Sequence, residues 1–265
     1  MEVIGYLASI LIGISLGMIG SGGSILTVPV LVYLMGINPV LATTSSLFIV
    51  GTASLAGGIQ SYSKKQIDLK AVVMFGLPSI LSIFFTRNYL LPILPDTMFT
   101  FGSFAVSKDM FLMVLFAILM LASSISMIKG HKTENELSEA KKNDKVIPLV
   151  LLGLIIGVIT GLLGAGGGFL IIPALILFLK LPMKTAVGTS LLIIAINSLS
   201  GFLFSLNQFK YNWTIILIFT AMSVAGIFVG SKLADKIPGE KLKKGFGWFV
   251  LIMGIYIIIK ETFLK

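Results

Sequence analysis

Between Glu2 and Lys64 no Asp, Glu, Lys, Arg or His interrupts the chain, and further charge-free stretches follow at 71–86, 110–128, 146–179, 185–209, 211–231 and 245–259. A helix needs roughly 20 apolar residues to cross a bilayer. Each stretch therefore predicts a span or a pair of half-spans. The longest polar segment, 129–145, separates two copies of one pattern. Gly17-Met-Ile-Gly-Ser-Gly-Gly-Ser-Ile-Leu-Thr-Val-Pro29-Val-Leu31 recurs 144 positions later as Gly161-Leu-Leu-Gly-Ala-Gly-Gly-Gly-Phe-Leu-Ile-Ile-Pro173-Ala-Leu175. At the same offset Ala42, Ser46, Leu47, Ser54 and Gly57 match Ala186, Ser190, Leu191, Ser198 and Gly201. The chain reads as a first membrane repeat, 1–128, a linker, 129–145, and a second membrane repeat, 146–265.

Composition agrees with this pattern. Hydrophobic residues make up 56% of the chain and charged ones 12%, with a mean hydropathy of +1.04, which makes the lipid bilayer its solvent. A net charge of +9 raises nucleic acid as a partner. Basic residues confined to short connections between apolar spans instead record orientation, so no nucleic-acid partner is expected. Cysteine is absent, which rules out a disulfide framework. The N-terminus has no basic n-region and its apolar stretch runs past any plausible cleavage site, so no removed signal peptide is expected.

The 20 basic residues also test how the copies lie in the membrane. If 3–36 and 147–180 each cross once, alternating sides carry 11 and 9 basic residues, which decides nothing. If each stretch folds back at its glycines, Lys64, Lys65, Lys70, the linker lysines, Lys180, Lys184 and the lysines of 232–244 share one face. Only Arg87, Lys108, Lys210, Lys260 and Lys265 then lie opposite, a division of 15 to 5. Because Lys and Arg accumulate on the cytoplasmic side, this predicts an all-α, multi-pass membrane protein with both termini outside and 129–145 cytoplasmic. It contains two inverted repeats, each a glycine-broken helical hairpin followed by three spans, eight to ten helices in all. The spans fall near 41–62, 69–86, 108–128, 185–208, 212–231 and 245–262. Inverted repeats with broken helices are the architecture of many secondary transporters.

The candidate chemistry lies at the breaks. In Gly20-Ser-Gly-Gly-Ser24 and Gly164-Ala-Gly-Gly-Gly168 the glycines reach positive φ without strain and allow close approach to the backbone. The helix that starts after each run presents unpaired N–H groups and a positive dipole end, a ready anion site. Gly20, Gly22, Gly23, Ser24, Gly164, Gly166, Gly167 and Gly168 are therefore candidate substrate-binding positions. Pro29 and Pro173, six residues into these arms, lack a donor and limit regular helix there. Gly13, Gly17, Gly157 and Gly161, one turn apart, read as close helix packing instead.

Hydroxyls at Thr44, Ser45, Thr189 and Ser190 offer donors to an oxyanion, although Ser and Thr on helices also satisfy nearby carbonyls. Asn197, within a charge-free span, is a further candidate. The spans hold no His, Cys or carboxylate cluster for a metal and no base beside a serine nucleophile. Neither a catalytic residue nor a metal or other cofactor is expected, and the chain does not read as an enzyme.

The motif Gly-x-x-Gly-x-Gly-Gly-x-(x)4-Pro in both halves, each copy followed by Ala-x-x-Ser/Thr-Ser, resembles the sulfite exporter TauE/SafE family over nearly the whole chain. That resemblance implies an inner-membrane permease for sulfite, organosulfonates or similar small sulfur-containing anions, with Gly17, Gly20, Gly22, Gly23, Pro29, Gly161, Gly164, Gly166, Gly167, Gly168 and Pro173 as the matched positions. The expected function is transport of such an anion by alternating access. Transport of a neutral or cationic solute, or a non-transporting membrane scaffold, are the alternatives.

Overall fold

The computed structural model describes residues 2–20, 23–101, 104–129, 146–164, 166–234 and 239–263; most of the linker, 130–145, and Gly22 lie outside them. The order is α1 (Glu2–Ile19), α2 (Ser24–Tyr33), α3 (Pro39–Ser63), α4 (Leu69–Phe85), a π-helical turn (Thr86–Leu90), α5 (Leu91–Ile93), β1 (Thr97–Phe101), β2 (Phe104–Ser107), α6 (Lys108–Lys129), α7 (Val146–Leu163), α8 (Gly168–Leu179), α9 (Met183–Ser205), α10 (Trp213–Ala234) and α11 (Gly239–Phe263). Among the described residues, five helices are long and apolar enough to cross a membrane, namely Pro39–Ser63, Leu69–Ile93, Lys108–Ile125, Met183–Ser205 and Trp213–Ala234. The protein is an all-α, polytopic membrane protein, to which the sequence reading did not add the antiparallel β1–β2 hairpin.

Large apolar side chains such as Leu7, Leu11, Leu77, Leu81 and Ile252 cover the outside, while Ser9, Ser46, Ser79, Thr189 and Ser223 are buried. Small polar residues inside and aliphatic ones outside are what helix association in lipid favours, because close backbone approach and interhelical hydrogen bonds replace the missing hydrophobic drive.

The glycines set which helices touch. A Cβ on Gly157 would lie 2.5 Å from the Ser79 carbonyl oxygen, and one on Gly13 would strike the Ser223 carbonyl. The same partners exchange hydrogen bonds. Ser79 Oγ donates to the Gly153 carbonyl at 2.9 Å, and Ser223 Oγ to that of Ser9 at 3.2 Å. Each partner in one bond lies 144 positions from its counterpart in the other. So α7 packs along α4, and α1 along α10, each pair running parallel.

In the centre, Gly51 sits beside Leu199, Gly57 beside Leu191 and Gly201 beside Leu47, so α3 and α9 cross the middle antiparallel. Chain direction then assigns two ends. The starts of α1 and α3 and the end of α11 share the terminal face, where Tyr33 Oη donates to Glu261 and Asn38 Nδ2 to Asp109. Lys64, Lys180, Lys184 and Lys232 gather at the opposite, basic face.

Candidate functional site

Both breaks begin with the same local device. The Gly20 N–H bonds the Leu16 carbonyl at 2.7 Å and Gly164 the Thr160 carbonyl at 2.9 Å. Gly20 (φ +79°) and Gly164 (φ +67°) then turn left-handed, which ends a helix and caps its carbonyls in the manner glycine favours. The chain doubles back. A Cβ on Gly23 would meet Ile12 and Leu16, and one on Gly167 would meet Ile156 and Thr160, so α2 returns along α1 and α8 along α7. The breaks differ in detail. Gly166 and Gly167 both keep positive φ, whereas Gly23 is right-handed. Helix α2 continues through Pro29 to Tyr33, and α8 runs on past position 173.

The candidate positions separate onto three levels. At the terminal face, Gly164 abuts the Thr43 main chain and its carbonyl accepts from Ser46 Oγ. Thr44 Oγ1 donates to the Val40 carbonyl at 3.2 Å and accepts from Arg87 at 2.8 Å. At the basic face, Gly20 lies against Val187. There Thr189 Oγ1 accepts the Asp68 N–H at 2.9 Å, and Ser190 Oγ donates to the Val187 carbonyl. Between them, a Cβ on Gly166 would stand 3.1 Å from Ser198 Oγ and 2.9 Å from Ile194. The α3–α9 register brings Ser54, Asn197 and Ser198 to this central level. Ser24, Ser45 and Gly168 are buried, and Gly22 lies outside the described residues.

Several central polar groups have no hydrogen-bond partner among the described residues: Asn197 Oδ1 and Nδ2, Ser54 Oγ, Ser198 Oγ and Thr160 Oγ1. Burying such groups costs about 1–3 kcal/mol each, and two of them, Ser198 and Thr160, stand beside Gly166 and Gly167. Asn197 was a candidate from sequence; Ser54, Ser198 and Thr160 were not, although the match of Ser54 to Ser198 was visible. No group of three metal-binding side chains occurs among the described residues.

A cavity of about 270 Å³ opens toward the basic face, lined by Gly17, Gly57, Gln60, Ser61, Lys64, Lys184, Val187, Leu191, Ile227 and Ser231 among others. Positively charged side chains at its mouth attract anions.

At the terminal face a vestibule lies outermost, lined by Asn38, Val40, Leu91, Lys108 and Gln208 among others, and the side chains beneath it are packed. Arg87 is fully buried, and its carbonyl accepts from Gln208. Phe48, Phe202, Tyr211 and Trp213 stack beside it, with ring centroids 5.1–6.0 Å apart. Tyr211 Oη donates to the Ser205 carbonyl at 2.7 Å. Burial pushes the Tyr211 phenol up to about 12, and the nearby Arg87 charge works against that shift. Arg87 escaped the sequence reading because Thr86-Arg87-Asn88 looks like the end of a span. The apolar run Tyr89-Leu-Leu-Pro-Ile-Leu94 beyond it was the signal that the helix continues.

Comparison with known proteins adds a lineage to this geometry. The family model for sulfite exporter TauE/SafE matches residues 5–257. A Xylella fastidiosa protein named "Probable membrane transporter protein" is 31% identical over 258 residues, covering 94% of this chain and 91% of its own. Similar proteins with the same description occur in Methanocaldococcus jannaschii (MJ0441, 28% identical, covering 94% of both chains) and in Bacillus subtilis (YunE, 25% identical, covering 96% and 95%). No solved structure matches the chain.

Proposed function

Because this chain belongs to the sulfite exporter TauE/SafE family and is a membrane transporter rather than an enzyme, we propose that it moves a small sulfur-containing oxyanion, such as sulfite or an organosulfonate, by alternating access. The observation that carries this reading is the contrast between the two ends of the α3–α9 pair. A cavity reaches in from the basic face to Gly57 and Leu191, while the vestibule at the terminal face does not include Arg87 or the aromatic cluster, which stay packed beneath it. Equivalent helices packed in opposite directions supply the means for each end to take the other's form, as inverted repeats do.

In this reading the two halves are inverted repeats, the basic face is cytoplasmic and both termini lie outside a cell's inner membrane. Lys64 and Lys184 concentrate anions at the mouth. The cargo then reaches the unpaired groups of the central level, Asn197, Ser54 and Ser198, the last beside the second glycine break, where Gly166, Gly167 and Gly168 would offer backbone N–H groups.

Flux in proteoliposomes holding this chain alone tests the cargo. Sulfite, thiosulfate and short sulfonates should compete for one pathway, and amino acids and divalent cations should not. Competition only by the latter overturns the anion reading. Orientation is tested separately in the naturally cysteine-free chain. Single cysteines at 65 and 135 should react with an impermeant thiol reagent from one side, and one at 210 from the other.

A further inference from the structure

We propose that Arg87 is a ligand for the transported anion on the terminal side of the path, gripping two oxygens of one sulfonyl or sulfite group through the Nε and Nη2 edge of its guanidinium. The inference deepens the anion reading above and rests on it for the identity of the cargo.

Arg87 is 0% exposed and sits on the π-helical turn Thr86–Leu90, inside the span Leu69–Ile93. Its Nη1 donates to Thr44 Oγ1 at 2.8 Å, whereas Nε and Nη2 have no partner among the described residues. No carboxylate pairs with it among the described residues. A buried arginine costs several kcal/mol unless its charge and its N–H groups are met, and an ionisable group inside a span is by default a functional one.

The pattern of what is met and what is not specifies the ligand. Nε–H and the outer Nη2–H point the same way and are spaced to bond two oxygens on one atom. Thr44 fixes the remaining nitrogen and so holds that edge in place. The unused edge suits a sulfonate, sulfite or carboxylate, and not a halide or a neutral solute.

Location adds a route. The vestibule at the terminal face, of about 640 Å³, is lined by Val40, Leu91, Asp96, Lys108, Asp109 and Gln208 among others, and Leu91 and Gln208 join it to Arg87, one turn along the helix and across a hydrogen bond. Gln208 Nε2 reaches the Arg87 carbonyl at 3.4 Å, and Ser205 Oγ, also buried, lacks a partner. Π-helical turns gather at functional sites because one added residue redirects a side chain without ending the helix. Here Arg87, near the start of that turn, continues the buried stripe Ser79, Ser82, Ile83 and Thr86 of the helix before it.

Trp213, in the aromatic cluster that Tyr211 links to this site, reports binding once the only other tryptophan is removed by Trp248→Phe. Methanesulfonate should change Trp213 emission in purified protein, and chloride at equal ionic strength should not. Arg87→Gln should raise the half-saturating methanesulfonate concentration by about 100-fold and Arg87→Lys, a point charge without the fork, by about tenfold. Equal responses to chloride and methanesulfonate in the parent protein overturn the fork, with no variant required. Unchanged saturation in a folded Arg87→Gln protein that still shows sulfonate flux overturns the site and leaves the transport reading standing. Methanesulfonate binding that depends on Arg87, in a protein with no sulfur-anion flux, upholds the site and overturns that reading.

Discussion

The two ends of the central helix pair share a framework and differ in what fills it. Gly201 rests against Ile83 and Leu47 near the terminal face, and Gly57 against Ile227 and Leu191 near the basic face. All three residues in one set lie 144 positions from their counterparts in the other. Next to these matched contacts, however, Arg87 stands at one end and its counterpart Ser231 at the other, where Ser231 lines an open cavity. The glycine–aliphatic contacts match at the two ends while the polar lining differs. Close packing of a Leu or Ile side chain onto a glycine tolerates little change, whereas a side chain facing a cavity can be replaced at small structural cost.

The largest expected effect breaks the comparison at the glycine turns. A Cβ on Gly164 would strike the main chain of Thr43, with the carbonyl carbon at 2.6 Å, while one on Gly20 would stand 2.6 Å from Val187 Cγ1, a side chain. Gly164→Ala should therefore cost about 3 kcal/mol or more, from overpacking and a left-handed φ together, seen as loss of monodisperse protein in detergent. Gly20→Ala should be milder and recover in part when combined with Val187→Ala. Equal losses, or no rescue, would place the two turns in the same environment.

Cysteine accessibility is the next test. Ser231→Cys should react with an impermeant reagent from the basic face on a timescale over which Ser205→Cys, in the closed end, stays unmodified; similar rates would remove the open-closed contrast. Smaller again is the mouth of the cavity. Lys64→Gln with Lys184→Gln should weaken apparent anion affinity several-fold at low salt. The difference should shrink as ionic strength rises and the screening length falls below about 8 Å; a salt-independent effect would argue for direct contact.

The smallest effect sharpens the shared framework. Ser79→Ala and Ser223→Ala each remove one interhelical bond and should lower stability by about 0.6 kcal/mol and by equal amounts, measured by thermal melting.

Much of this architecture was legible in the sequence because lipid leaves few options. The span expected at 69–86 is the helix Leu69–Phe85, extended by its π turn to Ile93; that expected at 185–208 is Met183–Ser205. Gly13, Gly17, Gly157 and Gly161, read as packing positions, do lie against neighbouring helices. Two things were hidden. The extension through Arg87 was obscured because Thr86, Arg87, Asn88 and Pro92 each suit a loop as well as a helix. The hydroxyls could not be sorted either. Ser190 and Thr44 each bond a carbonyl three or four residues back, and Ser198 and Ser54 bond nothing, yet all sit in apolar helices with the same local sequence signal. What separates them is which neighbour faces them, a nonlocal fact.

The seating of α1 on α10, and of α7 on α4, also bears on biogenesis. The first arm made has its main partner, residues 213–234, in the other half of the chain, so its packing is completed only after that segment has followed it. Expressed by itself, the first half could complete its fold only by borrowing the missing surface from a sister molecule inserted upside down.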